Sequence, residues 1–138
     1  MVQWEIAERM RATPGTKEYN ALSILMQSLA EVEVVRKVLP ANFHPRPKVD
    51  SAIVLIRPNP EKRRRVGDVP RFRAFLRDLY VHRRKTLRQA LAGSPRGRMD
   101  KAEVDARLQA LGIDGTVRSE ALGIDEHLRL CAAFSSEK

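Results

Sequence analysis

The feature that most constrains this chain is a pair of strand-like segments with only each other to pair with. Ser51-Ala52-Ile53-Val54-Leu55-Ile56 is a near-continuous apolar run, the pattern of a strand covered on both faces. Val32-Glu33-Val34-Val35-Arg36-Lys37-Val38-Leu39 is short, rich in β-branched residues and closed by Pro40, and reads as a second strand. An isolated strand pair is marginal in water. The front of the chain therefore reads as the tail of a larger α/β sheet.

The remaining segments read as helices and loops. Trp4, Ile6, Ala7 and Met10 recur at helical spacing up to the breaker Thr13-Pro14-Gly15, and Leu22, Leu25, Met26 and Leu29 mark one face of a helix between Tyr19 and Ala30. Asn42 to Lys48, with Pro45 and Pro47, is a loop. Glu61 to Pro70 is charged and proline-bounded. Beyond it Phe72, Phe75, Leu76, Leu79 and Tyr80 form a helical stripe that continues through Arg83 to Leu91. Asp100 and Glu103 resemble a capping box ahead of Val104, Leu108 and Leu111. Asp125 reads as the cap of a last helix with Leu128, Cys131 and Ala132 facing inward. Leu-Gly-Ile-Asp occurs at 111–114 and 122–125, too few copies for a repeat architecture. The expected fold class is α/β followed by all-α, with a partial sheet domain over residues 1–60, a linker over 61–67 and a helical domain over 68–138.

Charge narrows the partner. The chain carries +9 overall, and fourteen of its 26 Lys and Arg residues fall between Arg57 and Arg98 against three acidic ones. Such concentration points first to nucleic acid and second to an anionic membrane surface, with a merely solvated basic face as the plain alternative. Arg84 and Arg88, four apart, would share one helix face beside Lys85, and guanidinium forks match phosphate oxygens. Lys62 to Arg65 reads equally as linker solvation or a phosphate clamp. No apolar run approaches the roughly 20 residues of a membrane span, and the N-terminus lacks the layout of a signal peptide. The lone Cys131 excludes a disulfide framework and a multi-cysteine metal site, so no metal is expected and the setting is cytoplasmic. Cys131, Trp4 and Tyr19 read as packing residues. His44 has no catalytic companion. Phe43, on a proline-stiffened loop beyond a strand end, is either an anchor packed on the core or a platform for an extruded base.

The segment Asn42-Phe43-His44-Pro45-Arg46-Pro47-Lys48-Val49-Asp50-Ser51-Ala52-Ile53-Val54 resembles the F-x-P-x-P-K-V-D-S-A-(I/V)-V signature of the rRNA adenine dimethyltransferases. Upstream, Gln3, Glu5, Ala7-Glu8-Arg9, Pro14-Gly15, Lys17, Tyr19, Leu22-Ser23 and Gln27 are similar to the family's Q-x-E-x-A-E-R and P-G-x-K-x-Y-G-x-L-S. Downstream, Arg83-Arg84-Lys85-Thr86-Leu87-Arg88 is similar to its (Q/H)-R-R-K-(T/M)-L-(R/K). One departure is Asn20, where the family has glycine.

The resemblance implies the C-terminal part of a Rossmann-like methyltransferase sheet plus a small helical domain that engages small-subunit rRNA in the 30S subunit. It assigns Phe43 to the target-adenine pocket and phosphate contacts to Lys48, Arg83, Arg84, Lys85 and Arg88. Asp50 and Ser51 read rather as strand-entry residues. The complete enzyme would use S-adenosylmethionine. The family's glycine-rich donor loop and its catalytic N-(L/I)-P-Y tetrapeptide are absent from this sequence, which implies that the chain starts inside the methyltransferase domain, binds no donor alone and self-associates through exposed strand edges. The alternative is a stand-alone RNA-binding or ribosome-assembly module without catalysis.

Overall fold

The apolar run at Ser51 becomes β3 (Ser51–Pro58), the middle strand of a three-stranded sheet of order β1-β3-β2. In the computed structural model, which describes residues 1–81, 84–93 and 99–134, β2 (Ala30–Val38) runs antiparallel to β3, with Val34 opposite Val54 and Val38 opposite Ser51. β1 (Val2–Gln3) pairs with the other edge, Gln3 opposite Ser51. Two residues are too few to leave an alternating signature, so this strand was not anticipated. Both outer strands oppose β3 and are therefore parallel to each other. Between them the chain forms α1 (Trp4–Arg11) and α2 (Ala21–Leu29), the helical crossover that parallel strands need.

Polar residues join the two helices. The Ser23 hydroxyl donates to the Arg9 carbonyl, and Gln27 Nε2 donates to the carbonyls of Met10 (3.0 Å) and Ala12 (2.8 Å). These satisfy carbonyls that a helix end leaves open. The expected apolar face of α2 is thus corrected. Ser23, Ile24 and Ser28 are its buried residues, whereas Leu22, Leu25, Met26 and Leu29 are half-buried. Asn20 is extended (φ −153°) rather than left-handed, and its side chain caps α2 in a box with Ser23. The expectation that β3 is covered on both faces also fails within this chain. Ala52 is fully buried, but Ile53, Leu55 and Ile56 are 42%, 40% and 41% exposed, because the two helices cover only part of the sheet.

The segment expected as a linker is largely helical, forming α3 (Pro60–Val66). Asn59 caps it, accepting from the backbone N–H groups of Glu61 and Lys62. The chain divides into two compact units, Met1–Arg65 and Val66–Lys138. In the second, Asp68 caps α4 (Val69–Tyr80), which buries Phe72, Phe75, Leu76 and Leu79 as the stripe requires. α5 (Leu87–Ala92), α6 (Lys101–Leu111) and α7 (Ile124–Phe134) follow. The capping box at Asp100 does not form. Its side chain makes no cap bond, and Glu103 pairs instead with Arg107 at 2.9 Å. α7 begins before Asp125, and its buried residues are His127, Leu130 and Cys131, with Leu128 half-buried and Ala132 exposed.

His127 owes its buried place to its two ring nitrogens. Nδ1 lies 2.8 Å from the Gly123 carbonyl, which only accepts, so Nδ1 carries the proton. Nε2 then accepts from the Tyr80 hydroxyl at 2.8 Å. Burial holds this imidazole below its ordinary titration range, against the opposing pull of the Gly123 carbonyl and the Glu126 carboxylate.

Candidate nucleic-acid interface

Phe43 stands in the loop between β2 and β3. A 3-10 turn, Pro40–Asn42, starts that loop, and the Phe43 N–H donates to the Pro40 carbonyl at 3.1 Å. The ring is half-buried, so it is neither a core anchor nor fully free. The loop leaves from the carboxyl end of β2, and the carboxyl end of the parallel strand β1 lies at the same side of the sheet, since Gln3 and Val38 both face Ser51. In open α/β sheets ligands bind beyond the carboxyl ends of parallel strands. A groove of about 350 Å³ lies there, lined by Gln3, Trp4, Glu5, Lys48, Val49 and Asp50. Lys48 is exposed on this groove. Ser51 opens β3, and the Asp50 carbonyl accepts the Trp4 N–H at 2.9 Å, which is the strand-entry role expected of this pair.

A cluster at this end escaped the sequence reading. The Lys37 ammonium lies 3.2 Å from Asp50 Oδ2 and 4.7 Å from the centroid of the Trp4 ring. The Arg11 guanidinium lies 5.4 Å from the same ring. The Trp4 ring is half-buried and lies against two cations. Trp4 and Arg11 are seven apart on one helix, a signal that periodicity contains. Lys37 arrives from another strand through the β2–β3 register, which periodicity does not contain.

The basic residues of the second half are not one helix face. α4 ends at Tyr80, and α5 starts only at Leu87, where Thr86 and Gln89 form a reciprocal capping box. Arg84 and Lys85 are exposed in the turn ahead of that cap, so the expected pairing of Arg84 with Arg88 along a helix is corrected. Thr86 competes for backbone N–H groups and stops helix propagation through the basic run. Arg83 lies outside the described residues. Arg88 sits on α5 with its guanidinium 2.8 Å from Asp105. Lys62 proves structural: Nζ donates to the carbonyls of Gln27 (3.2 Å) and Ala30 (3.4 Å) and lies 3.6 Å from Glu31. It caps the last turn of α2, where a cation is favoured. Arg63, Arg64, Arg73 and Arg77 are exposed, the last two being a true four-residue pair on one helix. Among the described residues no group of three or more His, Cys, Asp or Glu side chains is arranged to hold a metal, and no helix is long and apolar enough to cross a membrane.

A partial α/β sheet with an aromatic loop at its carboxyl ends, followed in sequence by a unit of helices, defines an α/β chain with a helical extension. The chain belongs to the ribosomal RNA adenine dimethylase family, whose model matches residues 1–132. It is 42% identical over 126 residues to the ribosomal RNA small subunit methyltransferase A of Halothermothrix orenii, covering 91% of this chain and 42% of that protein. It is 40% identical over 139 residues to the protein of the same name from Bacillus mycoides, covering 100% of this chain and 48% of that one. A dimethyladenosine transferase from Plasmodium falciparum shares the fold with a TM-score of 0.76 at 26% identity, covering 93% of this chain and 54% of that one. The chain spans less than half the length of these two curated relatives.

Proposed function

We propose that this chain is the C-terminal part of an S-adenosylmethionine-dependent rRNA adenine dimethyltransferase acting on small-subunit rRNA, and that it supplies the loop that holds the target adenine and a surface that binds rRNA in the 30S subunit. The observation that carries this reading is the place of Phe43, on the signature loop, at the carboxyl ends of two parallel strands. An adenine amine inside a helix is not accessible to a methyl donor, and an extruded base is held by stacking on an aromatic ring. The amine is a weak nucleophile because its lone pair is delocalised, so positioning carries much of the catalysis. Phe43 contributes that positioning. Lys48, Arg84, Lys85 and Arg88, with Arg83, contribute phosphate contacts that fix register rather than sequence. The setting is cytoplasmic.

The parallel pair β1 and β2, joined by helices and bridged by the antiparallel β3, supports placement of residues 1–60 at the end of a Rossmann-like sheet, ahead of a helical domain over 68–138. Among the described residues we propose no donor site. β1 passes directly into α1 through Gln3 and Trp4, with no glycine to let the backbone approach a cofactor. S-adenosylmethionine therefore belongs to the complete enzyme and not to this chain.

The test is a chimera in which this chain replaces the matching segment of the Bacillus mycoides relative. Methylation of 30S subunits is measured with labelled S-adenosylmethionine. The chimera should methylate adenine in small-subunit rRNA, and Phe43→Ala should depress methylation far more than 30S binding. A chimera that folds and binds both donor and subunit yet leaves the rRNA unmethylated would overturn the reading.

A further inference from the structure

The loop bearing Phe43 leaves the sheet after Val38 and returns at Ser51, and these two residues face each other across the β2–β3 pair. Three residues meet at that neck. There the Lys37 ammonium bridges the Asp50 carboxylate (3.2 Å) and the Trp4 ring (4.7 Å). Asp50 in turn accepts the Trp4 N–H through its backbone carbonyl at 2.9 Å. One residue from the end of β2, one just before β3 and one just after β1 are thereby joined. Arg11 holds the same ring from the far end of α1, 5.4 Å from its centroid. Lys37 and Lys48 are both exposed, and the Lys37 ammonium lies against Asp50 and the indole.

We infer that Lys37 is a positioning residue for the Phe43 loop, joining Trp4 and Asp50 at its neck so that the aromatic ring stands where an extruded adenine is received. Lys37 does not touch the base. It acts through the direction in which the loop leaves the sheet. This rests on the reading of Phe43 as the base platform. The contacts involved are individually weak, because both side chains of the ion pair are partly exposed, so the effect on binding is about threefold to tenfold.

The test compares binding of this chain to short single-stranded oligoadenylate and to a strand of equal length without bases, at one salt concentration. The ratio of the two affinities isolates the base-dependent part. Phe43→Ala should remove the preference for adenine. Lys37→Met should reduce the ratio at least threefold and leave the baseless strand unaffected, and Lys37→Arg should restore it. Asp50→Asn, which keeps the side chain's shape, should mimic Lys37→Met. In the Phe43→Ala background Lys37→Met should do nothing further. Trp4 is the only tryptophan, so its emission should shift in Lys37→Met while far-ultraviolet circular dichroism is unchanged. Equal weakening of both strands by Lys37→Met would make Lys37 a plain phosphate contact and overturn the inference. So would an unchanged ratio in a chain where Phe43→Ala abolishes the preference. If Phe43→Ala leaves the preference intact, the base-platform reading falls first and the role of Lys37 falls with it.

Discussion

At the scale of single residues, His127 gives the helical unit a defined response to pH. Its imidazole is buried neutral, with Nδ1–H on the Gly123 carbonyl and Nε2 accepting from Tyr80, and burial lowers its affinity for protons relative to the ordinary value of 6.5. An unfolded imidazole titrates at that ordinary value, so as pH falls the unfolded state takes up the proton first. The contribution of His127 to stability is full above about 6.5 and is lost as pH falls below it toward the lower folded value. Urea unfolding followed across this range should show the helical unit weakening on the acid side, and His127→Gln should flatten that response. Tyr80→Phe should cost about 1–3 kcal/mol at neutral pH, because it leaves the Nε2 acceptor buried without its donor. An unchanged urea midpoint in Tyr80→Phe would show that the hydroxyl is not that donor. None of this was legible beforehand. A lone histidine in an apolar helix carries no sequence mark of the tyrosine 47 positions away that meets it.

At the scale of elements, the break between α4 and α5 decides how the basic run is presented. The apolar stripe of α4 was readable because one period accounts for Phe72, Phe75, Leu76 and Leu79. The end of that helix was not, since Arg84, Lys85 and Arg88 fit a helical pattern equally well on either side of Thr86. The N-terminus of α5 is fixed by a loop that passes close to it. The N–H groups of Leu87 and Arg88 donate to the carbonyls of Val117 (2.7 Å) and Gly115 (3.0 Å). A Cβ on Gly115 would lie 2.9 Å from Leu108 Cδ1 and 3.3 Å from Arg88 Cβ, and Leu108 is 2% exposed and cannot swing aside. Gly115→Ala should therefore destabilise the helical unit by about 1–3 kcal/mol, read as a lowered denaturant midpoint. Arg88 offers a second test. Its pairing with Asp105 at 2.8 Å competes with phosphate. Asp105→Asn should strengthen RNA binding and steepen the slope of log affinity against log salt by up to about 0.7 to 0.9 units, the increment of one added phosphate contact. Stability should change by less than about 1 kcal/mol, since the pair is half-exposed. A slope identical to that of the unaltered chain would mean that Asp105 does not compete with phosphate for Arg88.

At the scale of the whole chain, what was legible is the succession of a partial sheet and a set of helices. The pairing order was not, because β1 has only two residues and the sheet is completed by register. The apolar run of β3 reads as doubly covered, yet Ile53 and Leu55 are 42% and 40% exposed. Exposed apolar surface of this kind drives association, and the question is whether the edges or the face of the sheet do so. The outer edge of β2 is poorly suited. A bulge interrupts its register between Val34 and Arg36, and the strand carries Glu31, Glu33, Arg36 and Lys37. Bulges and charges of both signs are the usual means of blunting an edge against pairing with another chain. β1 offers only two residues. The face is better suited, since Ile53 and Leu55 are two apart in β3 and so point to the same side. Sedimentation velocity over a concentration series should therefore show self-association, and the double substitution Ile53→Lys with Leu55→Lys should abolish it without loss of the β2–β3 amide protection seen by hydrogen exchange. Glu33 lies directly opposite Leu55 and shares its face, so Glu33→Lys should also weaken association. A chain that stays monomeric at every concentration would sink this expectation. Association that survives the two lysines would return it to the strand edge.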